Sequence, residues 1–230
     1  QAIAALEGEE AFVSGVGAVS IENPVRRSDG RVVPLDEIKK ISTYCRDKGI
    51  KMHLDGARLY MAAARTGVSI REYASYFDTV YISLYKYLGA SGGAILCGSN
   101  EVMGKMEHQV KIHGGSMYGN WLNAAMALHR LEGLETRLTD AYARAEKVFG
   151  ALNKIPGIQV KLIDGGSNIY SLKLDASIDG KKMHETLNKE YRIIYPRPGA
   201  DNSTLLWANE SILNREEDYI VTAFKKSVTR

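Results

Sequence analysis

The stretch Ile50-Lys-Met-His-Leu-Asp-Gly-Ala-Arg58 decides the fold of this 230-residue chain. Its first half predicts a strand that breaks at Asp55-Gly56, where a turn pair follows the apolar run. Before it, Leu35 to Gly49 has apolar residues at helical spacing, acids in its first turn and a closing glycine. Earlier still, Ala18 to Ile21 predicts a buried strand that ends at Pro24. Strand, helix and strand in this order predict a right-handed parallel βαβ unit.

The composition is that of a soluble globular protein and excludes several function classes. The chain is 45% hydrophobic and 25% charged, with a formal net charge of +3. That charge is too small to indicate binding to nucleic acid or a membrane surface, and no apolar run is long enough to span a bilayer. Cys45 and Cys97 are not paired in spacing, so we expect reduced, buried thiols in a cytoplasmic protein. No metal site is predicted.

A lysine follows the next predicted strand. Thr79 to Leu84 is apolar and leads to Lys86, and the small-residue stretch Gly89 to Ala94 comes after it. Apolar surroundings favour the neutral, nucleophilic form of a lysine amine, and glycines let a flat ligand approach the backbone. The alternative is a surface lysine after an edge strand. A further strand is predicted from Ala94 to Cys97.

The second half of the chain has a different order of predicted helices and strands. A nearly continuous helical pattern runs from Asn120 to about Asn153, with a break or bend at Gly133. Beyond Pro156-Gly157, short strands and helices alternate, which predicts an α+β domain with a mostly antiparallel sheet. We predict strands at 158–163, 169–174, 192–195 and 205–208, and helices at 180–188 and 215–228. The predicted domains are 1–135 and 136–230.

Three polar residues fall at strand ends of one predicted sheet: Asp55, Arg58 and Lys86. Ligands of parallel sheets collect at the carboxyl ends of strands. A pyridine-ring cofactor needs a lysine for its aldehyde, a carboxylate for its ring nitrogen and a cation for its phenolate or an anionic substrate. A structural salt-bridge cluster would have the same composition, so both interpretations stand at this point.

The same residues resemble a known family. His53-Leu-Asp-Gly-Ala-Arg58, followed by Ser83-Leu-Tyr-Lys-Tyr-Leu-Gly89 and Gly93, is similar to threonine aldolases and the wider β-eliminating lyases. Ile21-Glu-Asn-Pro24, with Gly30 to Pro34, matches the segment that precedes the helix in those proteins. The resemblance implies a pyridoxal-phosphate (PLP) enzyme of fold type I, the aspartate-aminotransferase fold. The chain would contain part of the large α/β domain, with a mostly parallel sheet, and a small C-terminal α+β domain.

The resemblance also implies roles for individual residues. Lys86 would form the Schiff base, Asp55 would pair with the pyridine nitrogen, and Arg58 would bind the cofactor's ring oxygen or the substrate carboxylate. Ser83 or Tyr85 would reach the cofactor's phosphate or ring. His113 is a candidate for the base, in a glycine-rich loop at 111–119 that resembles a segment reaching toward a neighbouring subunit's site. His53 is interpreted as a core histidine.

The chain departs from the family pattern in three places. Tyr85-Lys86-Tyr87 stands where the family has Ser-Lys-Gly, and Leu205 stands where threonine aldolases have an arginine for the substrate carboxylate. Arg197 is the candidate substitute. Nothing before Ala18 supplies a phosphate-binding turn or an aromatic residue to stack on the cofactor ring. The start, Gln1 to Glu7, has neither an initiator methionine nor a signal-peptide pattern, so we expect the N-terminal part to be missing.

The predicted activity is cleavage of a β-hydroxy-α-amino acid to glycine and an aldehyde, as in a low-specificity threonine aldolase. Another β-eliminating amino-acid lyase of the same fold and a non-catalytic homologue are the alternatives. The predicted assembly is a homodimer or homotetramer, and the predicted partner is a small amino-acid substrate.

Overall fold

A computed structural model of the protein describes residues 15–228. These residues form two compact units. The first unit contains residues 15–25, 33–63 and 67–132, and the second contains residues 26–32, 64–66 and 133–228. The chain start from Gln1 to Glu7, and with it most of the stretch before Ala18, lies outside the described residues.

The first unit contains a four-stranded sheet of β1 (Ala18–Glu22), β2 (Lys51–Asp55), β3 (Thr79–Ser83) and β4 (Ala94–Gly98), in that spatial order. The first three strands are parallel and β4 is antiparallel to β3. The predicted parallel βαβ unit is therefore confirmed. Because the carboxyl ends of β1, β2 and β3 lie at one edge of the sheet, the residues that follow these strands lie close together.

The segment between β1 and β2 forms the crossover helix α1 (Leu35–Asp47). Acidic residues occupy its first turn, where they complement the helix dipole. Ile38, Ser42 and Cys45 are its buried residues, and Cys45 packs against Met52 of β2. Helix α2 (Leu59–Thr66) has residues 59–63 in the first unit, and the remaining helices of this unit are α3 (Ile70–Ala74), α4 (Asn100–Met103), α5 (Met106–Ile112) and α6 (Trp121–Leu131).

The second unit contains a three-stranded antiparallel sheet of β5 (Ile158–Leu162), β6 (Ile169–Leu174) and β7 (Ser203–Trp207). Tyr170, Leu172 and Leu174 of β6 are buried, while the residues between them are less so, so one face of the sheet meets a core. The helices that supply the rest of this core are α7 (Leu134–Leu152), α8 (Gly180–Tyr191) and α9 (Glu217–Ser227). The predicted α+β organisation with an antiparallel sheet is confirmed.

Of two helical predictions, the break at Gly133 is confirmed and the other needs revision. The long helical pattern is two helices, α6 and α7, because Gly133 has a left-handed backbone (φ 67°) that an α-helix cannot include. The sequence also predicts a helix over 100–110, but this stretch is divided into α4 and α5 around Gly104.

The strand predicted over 192–195 is wrong. Arg192 has a left-handed backbone (φ 55°) and closes α8, and the segment that follows is irregular. Pro196 and Pro198 have no N–H to donate to a neighbouring strand, which disfavours pairing here. The prediction that both thiols are buried is also only half right, because Cys97 on β4 is exposed.

Within residues 15–228, no helix is both long and apolar enough to cross a membrane.

Candidate active site

The polar residues of the candidate site follow the carboxyl ends of the parallel strands. Glu22 ends β1 and pairs in register with Asp55 at the end of β2, which in turn pairs with Tyr81 of β3. The Ala57 N–H donates to Asp55 Oδ1 at 3.0 Å, so the carboxylate is held by the turn that follows its own strand. Adjacent strands thus place these side chains next to one another.

Gly56 allows the turn after β2 to lie against β3. Its N–H donates to the Tyr81 carbonyl at 2.9 Å, and a Cβ at this position would lie only 2.8 Å from the same oxygen. A larger residue would force the turn away from the sheet. The close approach sets the position of Arg58, which is the N-cap of α2.

Arg58 is held by two side chains. Its Nη1 lies 3.6 Å from Glu22 Oε1, and both side chains are largely shielded from solvent. The Tyr87 hydroxyl also interacts with the Arg58 guanidinium. Burial raises the pKa of Tyr87 and the nearby Arg58 charge opposes this, so the hydroxyl stays a neutral neighbour of the guanidinium. The arginine is therefore fixed at the strand edge by an acid and a phenol.

Lys86 lies in a turn directly after β3. Buried Leu84 and Leu88 anchor the turn on either side, and the Leu84 N–H donates to the Gly93 carbonyl at 3.1 Å. The half-buried lysine extends over the Tyr85 ring, with Nζ 5.5 Å from the ring centroid. This is the distance of a cation–π contact, which orients the amine.

The tyrosine before the lysine links several groups of the site. The neighbouring hydroxyls of Ser83 and Tyr81, followed by the positive charge of Lys86, lower the pKa of Tyr85, and the Arg58 charge adds to this. Burial is the main cause that raises the pKa of Tyr81, and the Asp55 carboxylate contributes. The pKa of Tyr85 therefore depends on the charges of Lys86 and Arg58, and the pKa of Tyr81 depends on the charge of Asp55.

Two buried polar atoms at this edge indicate that the site fits a bound polar group. Asn23 follows β1; its N–H donates to the Asp55 carbonyl at 3.2 Å, yet its Nδ2 has no hydrogen-bond partner among the described residues. Ser83 ends β3, and its buried Oγ lies near two tyrosine hydroxyls without a hydrogen bond of normal geometry. Because unpaired buried polar atoms are costly, these two fit a cofactor that would satisfy them.

The other predicted residues have varied surroundings. His53 Nδ1 lies 2.8 Å from Thr79 Oγ1, between β2 and β3, as expected of a histidine with a structural role in the sheet. His113 is exposed at the end of α5, in the first unit. In the second unit, Arg197 is exposed with Nη2 3.7 Å from Glu185 Oε1, and Leu205 lies in β7.

Sequence reasoning gave no role to Glu22, Asn23 or Tyr81, and it treated Tyr87 only as a departure from the family pattern. A signal for Glu22 and Asn23 was present, because both come directly after an apolar strand of a predicted parallel sheet. The contact between Tyr87 and Arg58 had no such signal, since it joins residues nearly thirty positions apart.

Comparison with known proteins identifies a family and a shared fold. Residues 1–174 match the beta-eliminating lyase family. A low-specificity L-threonine aldolase of Candida albicans is 39% identical over 130 residues, which are 56% of this chain and 34% of that protein. The chain thus spans about a third of that relative's length.

Solved structures share the fold. A threonine aldolase of Leishmania major is 22% identical, with a TM-score of 0.68 over 97% of this chain and 64% of that chain. An ornithine aminotransferase of Toxoplasma gondii, with partial occupancy of PLP at its active site, is 22% identical, with a TM-score of 0.61 over 98% of this chain and 53% of that chain.

The fold is that of these threonine aldolase and aminotransferase structures, fold type I. Within this fold class, the chain belongs to the beta-eliminating lyase family. The predictions of family and fold class are confirmed.

Proposed function

We propose that this protein is a PLP-dependent carbon–carbon lyase that cleaves β-hydroxy-α-amino acids to glycine and an aldehyde, like a low-specificity threonine aldolase. The observation that carries the proposal is the placement of Asp55, Arg58 and Lys86 after adjacent strands in a member of this family. The 39% identity to a threonine aldolase supports this activity over other members' reactions.

Each residue of the site has a separate role in the proposed reaction. When bound, PLP supplies an electron sink for the bond that breaks at the substrate's α-carbon. Lys86 Nζ would hold the cofactor's aldehyde. Asp55, fixed by the Ala57 N–H, would keep a proton on the ring nitrogen. Arg58, held by Glu22 and Tyr87, would present its charge to the cofactor's ring oxygen or the substrate carboxylate.

The remaining assignments belong to the same proposal. Ser83 and Tyr85 contact the cofactor, and the unpaired Ser83 Oγ supports this. His113 accepts the proton of the substrate's β-hydroxyl, since a histidine is the side chain best suited to proton transfer near neutral pH. Arg197 binds the substrate carboxylate in place of the arginine that Leu205 replaces.

The test is an absorbance spectrum with added PLP. The unmodified protein should show a band near ~420 nm from the lysine–aldehyde adduct, and Lys86→Ala should lose it. Lys105→Ala is the matched control, because Lys105 is an exposed lysine of the first unit that pairs with Glu101. A spectrum without the band, or one that Lys86→Ala leaves intact, would rule out the proposal.

Substrate assays then separate the possible lyase reactions. Release of glycine and acetaldehyde from threonine is the expected result. Reaction with tyrosine, tryptophan or cysteine derivatives instead would identify a β-eliminating enzyme. The adduct band without turnover of any of these substrates would identify a non-catalytic homologue.

We also propose that the protein is a cytoplasmic homo-oligomer, a dimer or a tetramer. Helix α6 supports the assembly, because four of its large apolar side chains are more than 40% exposed: Trp121, Leu122, Met126 and Leu128. Such a surface is typical of an interaction site, and most soluble oligomers are built from identical chains. The free thiols of Cys45 and Cys97 support a reducing compartment.

A further inference from the structure

The second unit contains a cavity of about 580 Å³ that shares no residue with the candidate active site. It lies among α7, the segment after α8, β7, the 3₁₀ helix Glu210–Asn214 and α9. Its apolar wall is formed by Phe149, Leu206, Trp207, Ile220 and Phe224. Cavities that bind small molecules are commonly ~300–1,000 Å³ and mainly apolar, so both size and lining suit an organic ligand.

Two arginines, Arg192 and Arg215, line this cavity. Among the described residues, neither Arg192 nor Arg215 is in an ion pair, although the Arg215 guanidinium lies 5.5 Å from the Tyr219 ring centroid. Nearby arginines are paired: Arg137 Nε lies 3.0 Å from Glu210 Oε2. The positive charge at the cavity is therefore not neutralised by the protein, which favours an anionic group on the ligand.

A third polar group belongs to Tyr195. Its ring lines the cavity and stacks with Phe224 at a centroid distance of 6.1 Å, and its hydroxyl is buried without a hydrogen-bond partner among the described residues. Burial raises the pKa of Tyr195 well above its usual value, so the hydroxyl remains a protonated donor. A ligand that enters deeply would satisfy this donor.

We propose that this cavity binds a small amphipathic carboxylate. The apolar body, aromatic or branched aliphatic, packs against Trp207 and Phe224, and the carboxylate lies at Arg192 and Arg215. The positive charge of the arginines favours an anionic group on the ligand, and the apolar wall favours a hydrophobic ligand body. The proposal does not depend on the activity proposed for the Lys86 site.

Trp207 provides a direct readout of binding because it lines the cavity. The chain has two tryptophans, and Trp121 is exposed on α6, so Trp121→Phe leaves Trp207 as the single reporter. In this background, 3-phenylpropionate should produce a saturable change in fluorescence. The neutral amide, 3-phenylpropanamide, should bind about tenfold more weakly, because it cannot form charge-assisted contacts with the arginines.

Substitution of the arginines tests where the anion lies. Arg192→Gln and Arg215→Gln should each weaken binding of 3-phenylpropionate about three- to tenfold, with little effect on the amide. Both residues are exposed, so the variants should fold normally. Lys189→Gln is the matched control, since it removes an exposed positive charge of α8 that does not line the cavity.

Three results would overturn the proposal. The first is no saturable change in Trp207 fluorescence with millimolar 3-phenylpropionate. The second is equal affinity for the carboxylate and the amide. The third is a loss of affinity in Lys189→Gln as large as in the arginine variants, which would indicate attraction to net charge rather than to this cavity.

Discussion

At the residue scale, the position of each charged side chain of the site depends on the side chains that contact it. Arg58 alone would be a mobile guanidinium, but Glu22 and Tyr87 hold it from two sides. Lys86 is oriented by the ring of Tyr85. The two tyrosines that depart from the family pattern thus have separate tasks: one contacts the amine and the other contacts the arginine.

Tyr87→Phe should remove one of the two side-chain contacts that hold Arg58. Polar contacts to a charged group stabilise by ~1.5–3 kcal/mol at most, and Glu22 remains, so we expect about a three- to tenfold weaker affinity. Titration of PLP absorbance and measurement of KM will show whether cofactor or substrate affinity falls, and hence which of them Arg58 contacts. Tyr76→Phe is the control, because it removes a tyrosine hydroxyl of the first unit outside the candidate site, where the ring contacts Lys39. If neither affinity changes in Tyr87→Phe, Tyr87 does not position Arg58.

At the element scale, single backbone positions decide where helices and strands end. Gly133 separates α6 from α7 because its left-handed backbone cannot continue a helix, although apolar residues recur at helical spacing on both sides. Arg192 ends α8 in the same backbone region, and two prolines follow it. Periodicity alone shows neither stop. The glycine itself predicts the break at Gly133, whereas the sequence predicts a strand from Arg192.

Gly133→Ala should destabilise the protein by about 1 kcal/mol, since alanine is strained at φ 67° and its Cβ would lie 3.2 Å from Arg137 Nη1. Gly150→Ala should have the opposite sign. Gly150 lies inside α7, with no atom within 4 Å of an added Cβ, so alanine should stabilise the helix by up to ~1 kcal/mol. Urea denaturation measures both changes, and equal signs would contradict this account of Gly133.

At the scale of the whole molecule, the two units differ in what they expose. The second unit has a continuous buried core built from both sheet and helices. The first unit exposes Trp121 and Leu128 of α6, each more than two thirds accessible, and all five residues of β4. An apolar helix face of this kind is the surface through which we expect two copies of the chain to associate.

Leu128→Glu should weaken this association at least tenfold, because a charge cannot be buried in an apolar interface without a partner. Sedimentation velocity over a range of protein concentrations measures the effect. Ala143→Glu is the control, since it adds the same charge at an exposed position of α7 in the second unit. A protein that sediments as a monomer at every concentration, or a Leu128→Glu variant that associates like the unmodified protein, would contradict the proposal.

Apolar periodicity was sufficient to predict the parallel βαβ unit, and it brings Asp55, Arg58 and Lys86 to the ends of neighbouring strands because parallel strands end at one edge of the sheet. The family followed from the resemblance of His53 to Arg58 and Ser83 to Gly89 to known motifs, and the roles of the three charged residues remain a proposal. Three features appear only in the folded chain: Glu22 and Tyr87 hold Arg58, residues 192–195 are not a strand, and a cavity in the second unit is lined by two arginines that form no ion pair within residues 15–228. Those features depend on contacts between residues far apart in the chain, and spacing along a sequence does not encode such contacts.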